Sequence, residues 1–112
     1  MLDSRTMHAL LDSIQEPIVF VDNDHVIQYL NPAAMRKHEA AGYGGLLCKS
    51  VMDCHSPESQ EKIRRIYAQL KDGSNEVLEK VNKRGQKVFV RAVRDEDGKL
   101  LGYYERYESG GE

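Results

Sequence analysis

Four histidines and two cysteines are the side chains in this sequence best suited to hold a metal or carry redox chemistry, and their spacing decides which chemistry is open to them. His55 follows Cys54 and precedes Ser56-Pro57, just ahead of a segment with helical periodicity. A neutral imidazole there is a competent haem-iron ligand. The alternative role for a histidine at such a place is to support the helix start. His38 stands beside Arg36, Lys37 and Glu39 and is expected to face solvent; His25 falls in a turn and His8 on an N-terminal helix. Neither His25 nor His8 has a partner at metal-ligand spacing. Cys48 and Cys54 read as small thiols filling space. A disulfide between them is not expected in a reducing compartment, and a redox-sensing pair would require exposure. Cys54-His55 resembles the tail of a c-type haem attachment sequence, but the cysteine needed three positions before Cys54 is replaced by Val51.

Other chemistries find less support. There is no glycine-rich phosphate loop, no Ser-His-Asp ordering in helpful context and no pair of zinc ligands at helical i, i+4 spacing. Most carboxylates cluster in turns and on polar faces, so an enzyme is not expected. Glu79 and Arg91 interrupt runs of Val77, Val81, Phe89 and Val93. An inward charge would be costly unless paired, so both are expected on an outer sheet face near its edge.

The elements that must position these groups are marked by local signals. Asp3 to Gln15 reads as an amphipathic helix with Met7, Leu10, Leu11 and Ile14 on one face, ended by Pro17. Ile18–Val21 and Val26–Leu30 have strand composition around the turn formers Asp22-Asn23-Asp24-His25. Asn31 caps a helix and Pro32 fills its first position, where the missing amide costs nothing. That helix runs to Ala41 and Gly42, and Leu46 to Met52 reads as one or two short helical turns. Ser56-Pro57-Glu58 repeats the cap, opening a longer helix with Ile63, Ile66, Tyr67 and Leu70 on one face. Strands follow at Asn75–Asn82, Lys87–Arg94 and Leu100–Tyr107, with Asp97-Gly98 as the tight turn before the last.

Order and length together give one α+β domain: five antiparallel strands with a helical insert between strands two and three, which must fold over one sheet face and leave a cavity. The expected division is an N-terminal helix over 1–16, the domain over 17–108 and a tail or linker start over 109–112. At 112 residues, 30% charged and 40% hydrophobic, the chain has the composition of an ordinary globular protein. A net charge of −2 argues against nucleic acid as a partner. No apolar run long enough to span a membrane or serve as a secretory signal is present, so the cytoplasm is the expected location. In the last strand Leu101, Tyr103 and Tyr107 alternate with Leu100, Gly102 and Tyr104, so both faces carry apolar groups, and the outer sheet face is expected to pack on the N-terminal helix or on a partner subunit.

Three segments in this order resemble a PAS domain, over residues from about Leu10 to Tyr107: EPIVFVDNDHVIQYLNPAA, GYGGLLCKSVMDCHSPES and VFVRAVRDEDGKLLGYYERYE. The segment at Cys54-His55-Ser56-Pro57 is similar to a subgroup with Cys-His-Pro-Pro, Ser56 replacing the first proline. The resemblance implies a sensory or dimerisation module that holds a small molecule, haem, flavin or nothing between sheet and helices. It passes a change to an effector in cis or in trans. Its implied lining here is His55, Phe20, Met35, Tyr43, Leu47, Met52, Ile63, Ile66, Tyr67, Val90 and Tyr103, the same residues being serviceable as core. In haem-binding members the axial histidine lies on or just before the long helix, so His55 would be the metal ligand if haem is bound. Flavin is not expected, because no Asn-Cys-Arg-like helix start occurs. Homodimerisation through the N-terminal helix and outer sheet face is the implied assembly.

Overall fold

The computed structural model describes residues 1–42 and 44–109; Tyr43, residues 110–112 and the side chain of Cys54 lie outside the described residues. The expected pocket tyrosine at position 43 and most of the expected tail therefore fall outside them too.

Local chemistry sets the elements. Helix α1 spans Ser4–Ser13, with the Asp3 carboxylate accepting from the Thr6 amide as its cap. Strands β1 (Val19–Asp22) and β2 (Ile27–Leu30) form the expected hairpin and run into α2 (Pro32–Ala40). A 3-10 turn at Val51–Cys54 replaces the longer helical stretch read over Leu46 to Met52. Helix α3 (Pro57–Lys71) is capped by the Ser56 hydroxyl, and β3 (Glu76–Val81), β4 (Lys87–Arg94) and β5 (Leu100–Glu108) complete the chain. The C-terminal end of α3 is tied down by Arg94, whose Nη2 donates to the carbonyls of Leu70 (2.6 Å) and Ser74 (3.1 Å). A cation suits that end of a helix, where carbonyls lack partners.

The five strands pair antiparallel in the order β2-β1-β5-β4-β3, so the last strand sits at the centre beside the first. This is the expected α+β architecture, with the helical insert between β2 and β3. Val21, Ile27, Leu30, Val90 and Tyr103 on one sheet face meet Ala34 of α2 and Ile66 and Leu70 of α3 in a single core. Helix α1 buries none of its residues and is held mainly by polar contacts; Tyr29 donates to Asp12 (2.7 Å) and takes His8 edge-on.

Gly102 is where the centre of the sheet is closest. Its φ is +156°, and a Cβ there would overlap the Val21 carbonyl and press on the Phe20 ring. Only glycine lets β1 and β5 approach in this way.

Asn31 is the most constrained polar group. It is fully buried, and all its side-chain hydrogen-bonding directions are used. Its Oδ1 accepts from the amides of Ile18 and Ala34 (both 2.9 Å), while its Nδ2 donates to the carbonyls of Ile14 and Glu16 (both 2.9 Å). Removing the amide strands four backbone groups. Asn31→Ala is expected to lower unfolding stability by about 3 kcal/mol, well beyond the ~1 kcal/mol of an ordinary cap. Urea denaturation of the variant beside Ser56→Ala, which loses a cap alone, measures that difference.

Candidate functional site

Sheet and helices enclose a cavity of about 350 Å³, within the range of small-molecule sites. Val19, Val21 and Ile27 of the hairpin, Leu46, Val51 and Ile63 form its apolar wall. Its polar groups come from α2 (Lys37, His38), from His55, from β3 (Glu79, Lys80) and from β5 (Tyr103, Glu105, Tyr107).

The cavity gathers some of the residues singled out from sequence and not others. His55, Ile63 and Tyr103 line it. Ile66 and Val90 lie in the core, with Tyr67 packed against it. Met35 and Leu47 line a separate, smaller cavity of about 210 Å³ beside α2. Met52 is half-buried in the 3-10 turn and outside the cavity lining. Phe20, paired in register with Tyr104, alternates with the inward Val19 and Val21 and lies with its ring against Gly102. Cys48 is exposed, with a positive φ of 66°.

Three expectations are corrected. Cys48, read as a small buried thiol filling space, is on the surface, because the turn it occupies lies outside the core. His38 is half-buried and lines the cavity, because α2 docks with that face toward the sheet. Burial and the adjacent Lys37 hold its pKa below the usual imidazole value. Glu79 does not face outward. Glu79 follows the core-facing Val77 by two residues and so shares its face; the pairing of β3 with β4 then slips between Leu78↔Phe89 and Lys80↔Val88, a bulge that brings Lys80 to the same cavity. The Glu79 carboxyl, 19% exposed, lines the same cavity as Glu105 and stands 3.9 Å from Lys80 Nζ. Arg91 is exposed and paired with Glu76 at 3.0 Å, which agrees with its expected outer position.

Burial first, then the neighbouring Glu105, push the Glu79 carboxyl up to about 8, against a weak counter-pull from Lys80 and Lys62. Tyr107 donates to Glu105 at 3.4 Å and receives the Lys37 ammonium at 3.1 Å. On the far side of the cavity the Tyr103 hydroxyl meets His25 Nδ1 at 2.8 Å, and the His25 ring packs edge-on to Tyr67. Sequence reading placed His25 in the turn; its positive φ of 65° is what turns the imidazole inward.

His55 is exposed at the cavity edge, and its Nδ1 donates to the Val51 carbonyl at 2.6 Å, leaving Nε2 free as an acceptor or ligand atom. The helix-start role also holds, since the His55 carbonyl accepts from Gln60. The charged groups in the lining are of both signs, Lys37 and Lys80 beside Glu79 and Glu105. Among the described residues no three His, Cys, Asp or Glu side chains converge on a point that could hold a metal ion.

A five-stranded antiparallel sheet covered on one face by short helices, with a cavity between, is the architecture of small sensory domains. The PAS domain family matches residues 7–108, and the chain belongs to that family. Among solved structures it is similar to a C-terminal domain from Streptococcus mutans (TM-score 0.76, 23% identity, 96% of this chain and 85% of that one). It is also similar to a PAS domain from Colwellia psychrerythraea (0.66, 16%, 96% and 98%). A third is the Vibrio cholerae Aer2 receptor, described as a dual PAS-heme oxygen sensor (0.59, 21%, 82% and 91%). At these identities the likeness is one of fold. No curated protein matches the sequence. The fold is typical of sensory signal transduction, and no helix among the described residues is long and apolar enough to cross a membrane.

The Glu79 proton has a stability signature. Unfolded, this carboxyl ionises near its ordinary 4.5, and folded it does so near 8. Between those values the folded chain holds the extra proton, so its contribution to stability falls as pH rises through the window and levels off above it. Glu79→Gln is expected to abolish that contribution and to exceed the parent by about 2 kcal/mol at pH 8.5, where the parent carries a half-buried charge. Urea midpoints of parent and variant from pH 4.5 to 9 measure the difference.

Proposed function

We propose that this chain is a cytoplasmic sensory PAS domain that takes a small organic molecule between sheet and helices and signals through dimerisation, acting on an effector in cis or in trans. The observation that carries the reading is the cavity itself, with an apolar wall from the hairpin, Val51 and Ile63 and a set of hydrogen-bonding groups along β3 and β5. An apolar body with a polar end suits such a lining. Catalysis is not part of the reading.

The dimer is supported by apolar surface without a partner within the chain. Met7, Leu10 and Leu11 of α1 are 46%, 56% and 41% exposed, a stripe at helical spacing. The outer sheet face adds Leu78, at 51%, and Phe89, over which the Arg106 guanidinium lies at 4.6 Å. Arg106 and Arg91 both bind Glu76, so that face is an apolar strip beside an ordered charge network. The cofactor-free interaction module is the alternative reading, and the same surface would serve it.

Three measurements test these readings. Native mass spectrometry of freshly purified protein is expected to show a non-covalent adduct. A bare mass that no small-molecule library shifts would leave only the interaction module. Absorption spectra are expected to lack a Soret band before and after haem titration; a band that disappears in His55→Ala would instead establish haem with His55 as its ligand. Light scattering of Leu10→Asp and Leu11→Asp is expected to give half the mass of the parent, and unchanged mass would remove α1 from the interface.

A further inference from the structure

A second concavity, of about 780 Å³, opens on the outside of the domain and plays no part in the ligand reading. Three stretches far apart in sequence build it. Glu16 and Pro17 come from the segment joining α1 to β1, Ala40 and Ala41 from the end of α2, and Lys83 and Arg84 from the turn between β3 and β4. Pro17 and the two alanines give it an uncharged floor with short side chains. Its charge is one-sided. Lys37, Lys83 and Arg84 line it against the single carboxylate of Glu16, in a chain whose net charge is −2. Among the described residues none of these three cations is in an ion pair.

The places of the cations are set by hydrogen bonds around them. In the β3–β4 turn the Asn82 amide donates to the Gln86 carbonyl at 2.9 Å and the Gly85 amide to the Asn82 carbonyl at 3.0 Å. Asn82 Oδ1 accepts from the amides of Arg84 and Gln86, both at 3.0 Å, so the turn carrying Lys83 and Arg84 is tied across itself. Lys37 donates to the Tyr107 hydroxyl at 3.1 Å and lies 4.6 Å over its ring. An ammonium has three N–H groups, which leaves Lys37 two for an incoming acceptor.

Shape and charge select the occupant. Lys37, Ala40, Ala41, Lys83 and Arg84 are all exposed, so a small molecule in the groove would keep most of its surface in water. A length of chain with several negative charges spans the separated cations instead. A nucleic acid would carry its phosphates on over a surface that is negative on balance. Carboxylates on a peptide can be confined to the groove.

We propose that this groove is the docking site for an acidic segment of a partner protein, its carboxylates taken by Lys83 and Arg84 of the β3–β4 turn and by Lys37 of α2. Lys37 and Tyr107 also line the cavity, so the partner sits on the far side of a wall that the two spaces share. This docking site rests on the signalling reading, for which it supplies the chemistry of the effector contact, and it needs no ligand in the cavity.

Backbone amide NMR of the whole chain, titrated with an acetylated and amidated octaglutamate peptide, tests it. Saturable shifts are expected at Lys37, Ala40, Ala41, Lys83 and Arg84, and octalysine is expected to give none there. Lys83→Glu is expected to raise Kd about tenfold. Lys99→Glu makes the same change in net charge at an exposed position beyond the other end of β4, and is expected to leave Kd within about twofold. Arg84→Glu takes the place of Lys83→Glu if that variant fails to fold. Absence of shifts in the groove, or equal weakening by the two reversals, overturns the proposal. So does tighter binding of inorganic phosphate or of an eight-nucleotide oligothymidylate at the same amides. If the peptide fails while native mass spectrometry still shows a bound small molecule, the ligand reading stands and only the docking site falls.

Discussion

The fold depends on one buried amide. Asn31 fastens the end of the segment after α1, the start of β1 and the first turn of α2 to a single point through four side-chain bonds. Its own backbone amide also donates to the Ile18 carbonyl at 3.1 Å. Helix α1 buries no residue, so without this node its approach to the domain would rest on Tyr29 alone among buried or half-buried side chains. The hairpin direction and the α2 docking angle are set together, which puts Val19, Val21, His38 and Lys37 around the same space. A buried asparagine is tolerable only because every one of its directions is satisfied; partial satisfaction would be worse than an apolar side chain.

The second constraint is in the sheet. Placing β5 at the centre, between β1 and β4, brings the last strand to be made against the first. Gly102 permits the close approach to Val21 and Phe20 that this requires. Beyond it, β5 delivers Tyr103, Glu105 and Tyr107 to the cavity at period two, as strand geometry dictates. In β3 the same period puts Glu79 on the face of Val77, and the bulge that follows adds Lys80 to the cavity.

Much of this was legible in the sequence because the signals are local. Asn31-Pro32 and Ser56-Pro57 announce both main helices, β4 begins and ends where its composition says, and the order of elements gives the helical insert. What was not legible depends on partners distant in sequence. Asn31 reads as a cap, which uses only its oxygen; the two bonds made by its nitrogen require knowing that Ile14 and Glu16 pass beside it. Glu79 reads as outward because an inward charge is costly, although alternation puts it on the face of Val77, and only the tertiary structure shows that a cavity lies there to receive it. His38 sits in a charged run, yet its exposure is decided by the face that α2 turns to the sheet. The polar half of the candidate site was therefore hidden, while His55, Ile63 and Tyr103 could be placed from periodicity and family likeness.

The cavity also joins elements that local signals describe separately. Tyr103 lines it and bonds His25; the His25 carbonyl accepts from Val51 at 2.9 Å, fixing the 3-10 turn that leads to His55. Tyr67 of α3 packs on the same imidazole and donates to Asn23, whose amide in turn donates to the Leu100 carbonyl at the start of β5. Hairpin turn, 3-10 turn, α3 and β5 thus meet through side chains held by at least two contacts each. His25 is the weakest link in that set, since it adopts a left-handed backbone conformation that a histidine pays for in strain. Burial holds its pKa below the ordinary imidazole value, with Arg64 adding to the effect and Asp22 and Asp24 opposing it. A neutral ring can serve as either donor or acceptor to Tyr103, so the hydroxyl can turn toward the cavity or away from it without breaking the contact. The Tyr103 end of the cavity can therefore adjust its hydrogen bonds to what lies beside it while the four elements around it stay joined.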